Sequence, residues 1–217
     1  MPPRCARSPQ KSAYTRLEFE RRYREQGCRW VAGIDEAGRG PWAGPVVAAC
    51  VVLPENTEGL HVLDDSKKLS PQKREACYQL LLERAQSIGV GIVDAGVIDR
   101  INILQATFLA MQQAAEKVTP FPDFFLIDGN RKPAWTEHAT TLIKGESQSL
   151  SIAAASIVAK VTRDKIMESF DARFPQWGFA RHKGYGTPEH LTAILAHGVC
   201  EIHRRSFLPI SQMTFSY

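Results

Sequence analysis

Three things are scarce in this chain, and each closes off a class of protein. Its 217 residues include five cysteines, an odd number with no Cys-x-x-Cys spacing. That argues against a disulfide framework and a zinc ribbon and fits a reducing, cytoplasmic setting. Long apolar runs are missing: the longest, residues 45–53, falls well short of the ~20 residues a membrane-crossing helix needs. Residues 1–7, MPPRCAR, lack an apolar stretch, so no secretory signal and no membrane partner are expected. Internal repeats and low-complexity linkers are missing too, which leaves one domain with room for a substantial core.

What is present is mildly basic. Net charge is +4, suited to a polyanion without demanding one. Arginines 16, 21, 22 and 24 crowd the start, and Arg181, Lys183, Arg204 and Arg205 sit late. Residues 1–11 read as a loose basic tail, 12–27 as a helix anchored by Leu17, Phe19 and Tyr23, and Gly27 as its stop. Strands are expected at 30–34, 45–53, 89–93, 124–127 and 140–143, the first two as an antiparallel pair because only about ten residues separate them. Helices are expected at 70–88 (Ser70 as N-cap, Pro71 in the first turn), 99–118, 151–170 and 188–197. The helix after residue 150 opens on Ala153, Ala154, Ala155 and Ser156, small enough to lie close against a sheet. The fold class is therefore α/β, a mixed five-stranded sheet flanked by helices, with a small C-terminal helical part.

The chain is organised around residues 31–40, VAGIDEAGRG. Successive strand side chains point to opposite faces, so Asp35 and Glu36 can reach one cation only where the strand ends and the chain turns, a turn that Gly38 and Gly40 permit. Asp128 follows another strand and Glu146 a third. If those strands are neighbours, four carboxylates converge at one sheet edge. An all-oxygen site of this kind suits Mg²⁺ or Mn²⁺. Two such ions would clamp the attacking and leaving oxygens of a phosphoryl displacement. Taken singly, Asp128 also reads as an Asp-Gly turn and Glu146 as a solvated loop acid.

Five blocks, in this order, resemble bacterial ribonuclease HII: residues 35–41 (DEAGRGP), 65–69 (DSKKL), 126–130 (LIDGN), 151–164 (SIAAASIVAKVTRD) and 182–187 (HKGYGT). The resemblance spans 29–208; ribonuclease HIII, with Gly-Thr-Gly in place of Gly38-Arg39-Gly40, is less similar. It implies a ribonuclease H-like core at 29–170, a basic extension and helix at 1–28, and a substrate-binding segment of the same domain at 171–217. It also implies an endonuclease that cuts RNA in RNA–DNA hybrids and at single ribonucleotides in duplex DNA, leaving 3′-hydroxyl and 5′-phosphate ends. The family's metal-binding and catalytic acids fall on Asp35, Glu36, Asp128 and Glu146, holding two divalent ions. Ribose recognition falls on Gly38, Arg39 and Gly40, with Tyr185 packing against the sugar. Arg39 holds a phosphate or the loop itself, and Tyr185 read without the family is a loop aromatic covering the core.

Ser66, Lys67 and Lys68 are expected on phosphates or in solvent, and Lys160 with Arg163 on the same basic surface or facing water. The family has Lys-Gly-Asp where this chain has Lys144-Gly145-Glu146, so the expected consequence is a weaker second ion or better tolerance of Mn²⁺. Asp164 is a fallback ligand. Two other readings compete: a catalytically weakened nucleic-acid-binding module of the same fold, and another ribonuclease H-like nuclease such as an integrase or resolvase. His182 and His203 receive no role, and Cys50 reads as a buried small hydrophobe. Residues 212–215, QMTF, faintly resemble peptides that dock on replication clamps. A monomer is expected.

Overall fold

The computed structural model describes residues 16–214; the loose tail and the first residues of the expected N-terminal helix lie outside them. In chain order come α1 (Glu18–Glu25), β1 (Val31–Ala37), β2 (Val46–Val52), α2 (Pro71–Arg84), β3 (Ser87–Val93), α3 (Ala95–Glu116), β4 (Phe124–Asp128), β5 (Ala139–Leu142), α4 (Leu150–Arg173), a short α5 (Phe179–His182) and α6 (Pro188–His197). The five strands form one sheet in the order β3-β2-β1-β4-β5. β1, β2 and β3 run antiparallel as a meander, while β4 lies parallel to β1 and β5 parallel to β4.

The register opens the sheet where the acids sit. β1 stays paired with β2 through Asp35↔Ala49, Glu36↔Ala48 and Ala37↔Val47. Its pairing with β4 stops at Ile34↔Ile127, and Asp128 pairs instead with Leu142 of β5. The strand therefore does not end before its acids, as the sequence suggested. It runs past them with one edge bare, because apolar β2 continues to support it.

Alternation along β1 then sorts its side chains. Ile34 is buried with Ala32, Val46, Ala48, Phe125 and Ile127 beneath α3. On the other face Ala49 and Val51 pack with Leu81 of α2 and with Leu150, Ala154, Ile157 and Val158 of α4. Small residues on α4 are needed: a Cβ on Gly33 would lie 2.1 Å from the carbonyl carbon of Ser151. Ser70 caps α2 as expected, accepting from the Lys73 N–H at 3.3 Å. α3 starts earlier than its periodicity suggests and breaks at Asn102 (φ 67°, ψ 163°). There the Asn102 side chain accepts from the N–H groups of Leu104 and Gln105 at 3.0 and 3.1 Å and restarts the helix.

Two features escaped the sequence. Glu20, between the apolar anchors of α1, is only 1% exposed. Its Oε1 accepts from the Ser149 hydroxyl (2.7 Å) and from the Ser151 hydroxyl and N–H (2.8 and 3.0 Å), pinning α1 to the start of α4. The C-terminal segment builds a core of its own from Ala43, Met167, Trp177, Phe179, Ile194, Ile202 and Ile210 at the far end of α4.

Candidate active site

Asp35, Asp128 and Glu146 meet at the bare edge of β1: one carboxylate oxygen from each lies within 4.8 Å of the others. β1 supplies the first, the end of β4 the second, and the 3-10 turn Gly145–Ser147 after β5 the third. Lys144 takes a left-handed conformation (φ 56°) to enter that turn. The Gly145 N–H then donates to Asp128 Oδ1 at 2.7 Å. A Cβ on Gly145 would lie 2.6 Å from Ile152 Cδ1 and 3.2 Å from that same oxygen, so glycine is required where strand and turn close on each other.

Glu36 stands apart. Ile34 faces α3, so Asp35 faces α4 and Glu36 faces α3 again. Glu36 is not among the three clustered acids; its Oε1 meets Arg39 Nη1 at 3.3 Å. Two cavities join across it. One, of about 350 Å³, is walled by Asp35, Gly38, Gly40, Asp65, Ser66, Lys67, Glu146, Ser156, Lys160 and Tyr185, with Glu36 and Arg39 on its border. The other, of about 290 Å³, holds Glu36, Arg39, Asp128, Asn130 and Arg131 against Leu104, Phe108 and Met111 of α3.

Nearly every residue singled out in the sequence borders these cavities. Ser156 and Asp65 join them, and Lys160 takes its place on the wall. Lys68 does not; it pairs with Asp64 at 3.8 Å. Asp164 is drawn off by Lys160 (2.7 Å) and Arg74 (3.9 Å) and is no ligand here. Arg163 is not on a basic surface but fully buried, 1% exposed. Gly38 has the positive φ (96°) that the turn was expected to need, whereas Gly40 is not among the positive-φ glycines. What Gly40 offers is room: a Cβ there would meet nothing nearer than the Tyr185 ring, at 3.9 Å.

The electrostatics are those of a site short of positive charge. Burial, then the charges of Glu36 and Asp128, push the Asp35 carboxyl well above the usual carboxylate range. Burial raises Glu146 too, with Asp128 and Asp65 adding to it. Glu146 Oε2 is buried without a hydrogen-bond partner among the described residues. An all-oxygen donor set with an orphaned oxygen fits a hard divalent cation. The extra methylene of Glu146 does not keep it from the cluster, so departure from the family's aspartate leaves the site assembled.

Behind Tyr185 lies a neutral histidine relay. The Cys200 N–H donates to His203 Nδ1 (2.9 Å), His203 and His190 meet through their Nε2 atoms (3.1 Å), and His190 Nδ1 meets the Tyr185 carbonyl (2.9 Å). The chain closes only if His203 Nε2 and His190 Nδ1 each carry one proton, leaving both rings uncharged. Burial pushes His190 down to about 4 and His203 down to about 3. These groups contribute stability that is full above the unfolded value of about 6.5 and is lost as pH falls towards 3 to 4. Imidazole NMR signals of both residues are expected to stay in the neutral form down to pH 5 while the melting temperature falls below pH 6.5. Protonation of either ring near pH 6 would contradict the relay.

A mixed sheet of this order, with clustered carboxylates at its opened edge, defines a nuclease of the ribonuclease H class. Residues 32–209 match the sequence model of the family described as Ribonuclease HII. The chain is 54% identical over 198 residues to a ribonuclease HII of Geotalea daltonii, covering 91% of each chain. Among solved structures it resembles the ribonuclease H2 of Pyrococcus horikoshii OT3, with TM-score 0.71, 27% identity, and 84% of this chain and 96% of that one covered. It also resembles a chain from the PCNA:RNase HII complex of Archaeoglobus fulgidus, with TM-score 0.69, 25% identity, and 82% and 95% covered. The chain belongs to the ribonuclease HII family, and it is a type 2 ribonuclease H, an endonuclease. No helix among the described residues is long and apolar enough to cross a membrane.

Proposed function

We propose that this ribonuclease H hydrolyses the RNA strand of RNA–DNA hybrids and cuts at single ribonucleotides in duplex DNA, leaving 3′-hydroxyl and 5′-phosphate ends. The observation that carries the reading is the meeting of Asp35, Asp128 and Glu146 oxygens within 4.8 Å beside a glycine turn and a half-exposed tyrosine. Those three acids, with Glu36 across the border, would hold two divalent cations, Mg²⁺ or Mn²⁺. When bound, such ions supply the positive charge that activates a water and stabilises the leaving 3′-oxygen.

The protein's own groups do the rest. Lys67 and Lys160 stand on the wall facing the acids and take phosphates of the bound strands. Ser66 is fixed beside them, since Arg74 Nε holds its carbonyl at 2.7 Å. The turn at residues 38–40 presents backbone donors to the 2′-hydroxyl, the group that separates RNA from DNA, and the Tyr185 ring packs against the sugar. In this reading residues 29–170 carry the chemistry and 171–217 bring Tyr185 to it. Cleavage of an end-labelled duplex containing one ribonucleotide, lost in EDTA and undetected on the all-DNA duplex, tests the proposal; equal cutting of both duplexes would overturn it.

Glu146 gives a sharper expectation. Mg²⁺ demands near-ideal octahedral geometry, which Mn²⁺ demands less strictly. Glu146→Asp is expected to raise the ratio of Mg²⁺-supported to Mn²⁺-supported rates several-fold over that of the wild type, and an unchanged ratio would contradict it.

The protein is proposed to act in the cytoplasm as a monomer, with a replication clamp as a further partner through residues 212–215. Met213 packs on the C-terminal core and Thr214 is exposed, while Phe215 lies outside the described residues. Removing residues 214–217 should therefore spare the fold and abolish retention on immobilised clamp; undiminished retention would exclude this contact.

A further inference from the structure

Two fully buried arginines, from distant parts of the chain, grip the loop between β1 and β2 by its carbonyls. Arg204 is 0% exposed. Its Nη2 donates to Gly38 O (2.6 Å), its Nη1 to Arg39 O (3.0 Å) and Pro41 O (2.8 Å), and its Nε to Gly44 O (2.9 Å). Arg163 donates from Nε to Pro45 O (3.0 Å) and from Nη2 to Ala43 O (3.1 Å). Among the described residues no carboxylate lies within ion-pair distance of Arg204. The Phe207 ring sits 5.0 Å from its guanidinium, and burial pushes the group down to about 9. A buried cation without a counter-ion is costly, and here four peptide dipoles compensate it.

Peptide planarity gives the grip a consequence. In a trans peptide the C=O and the next N–H point in opposite directions. With the Gly38 and Arg39 carbonyls drawn inward to Arg204, the N–H groups of Arg39 and Gly40 are turned the other way. Residues 38–40 wall the acid-bearing cavity. Among the described residues neither N–H has an intramolecular acceptor, whereas the next one, on Trp42, is taken by Gly184 O at 2.8 Å. The arginine is itself anchored. Its own N–H donates to Trp42 O at 2.8 Å, and Asp99 holds the N–H groups of Arg205 and Ser206 at 2.9 and 3.0 Å.

We propose that Arg204 is a positioning residue for ribose discrimination: by holding the Gly38 and Arg39 carbonyls it turns the Arg39 and Gly40 N–H groups outward as a fixed pair of donors to the strand being read. The inference rests on the reading of residues 38–40 as the ribose-recognising turn. Arg204 touches no substrate; its effect passes entirely through the loop.

The test measures binding in EDTA, below the melting temperature of each variant, so that neither the metal site nor cleavage enters. Two duplexes of the same sequence are compared, one with a single ribonucleotide and one all DNA. Arg204→Gln is expected to cut the affinity ratio between them at least fivefold, with affinity for the all-DNA duplex unchanged within twofold. Arg204→Lys, able to reach fewer carbonyls, should fall between. A folded Arg204→Gln that keeps the wild-type ratio, or that weakens both duplexes alike, would overturn the role. Hydrogen exchange on the wild type decides the matter even if neither variant folds: the Arg39 and Gly40 amides should exchange freely and become protected by the ribonucleotide duplex but not by the all-DNA one. Protection in the free protein, or none on binding, would also overturn it. A wild type that shows no preference between the duplexes removes the reading of the turn itself; a preference that survives Arg204→Gln removes only Arg204.

Discussion

Asp35→Asn is expected to abolish cleavage and, in the absence of metal, to make the protein more stable. The loss follows from geometry, since Asp35 is one of three acids whose oxygens converge within 4.8 Å. Charge stabilisation worth several kcal/mol at the transferring phosphate corresponds to a drop on the order of a thousandfold or more. The gain follows from the sign of its proton affinity. Burial and the charges of Glu36 and Asp128 raise the folded carboxyl above its unfolded value, so the folded chain binds the proton more tightly. Stability from this group is full below about pH 4 and declines as pH rises through the folded value. At pH 7.5 in EDTA the amide should therefore raise the melting temperature by a few degrees, about 1–2 kcal/mol. The advantage should vanish near pH 4 and reverse when Mn²⁺ is added, because only the wild type gains from binding it. A variant melting at or below the wild type in EDTA would mean that the three acids do not strain one another.

Tyr185→Ala is the second large effect, and it should fall on substrate rather than on fold. The ring is 45% exposed beside Gly40, 5.9 Å from the Arg163 guanidinium. The backbone beneath it is fixed independently, by the His182 carbonyl and the histidine relay. Truncation thus removes little buried area, and the melting temperature should shift by no more than a degree or two. Stacking of an aromatic ring on a nucleotide is worth about 1–3 kcal/mol. Cleavage at a single embedded ribonucleotide should fall roughly 10- to 100-fold. Junction cleavage at the wild-type rate in the folded variant would refute the role.

How far the sequence foretold this site depended on where each residue finds its partners. Asp35 and Asp128 were legible because each comes directly after a short apolar run, and Glu146 because it sits in the turn after a strand; parallel neighbours bring the three to one edge. The departure of β4 from β1 after Ile34↔Ile127 was not, since nothing local marks where a register opens. It leaves Asp35 and Glu36 on a bare strand edge while still paired with β2 on the other side, with Glu36 on the border of both cavities. Ser70 at the head of α2 was legible from a local capping signal, whereas the break at Asn102 hid within an unbroken helical periodicity.

Arg163 and Arg204 were misread or passed over for a different reason. Charged residues at a helix end or in a polar tail pattern as solvated. Most of the groups that hold these two are backbone carbonyls more than a hundred residues away, and carbonyls carry no sequence identity. Glu20 is the same case, its partners being serines at the start of α4.

The central claim is that Asp35, Asp128 and Glu146 form one cation site, and titration of Mn²⁺ into the intact protein, read by calorimetry, tests it most directly. The wild type should bind, with Asp128→Asn and Glu146→Gln each weakening the tightest site at least tenfold and Asp164→Asn leaving it unchanged. Equal Mn²⁺ affinity in the wild type and in Asp128→Asn would contradict the account.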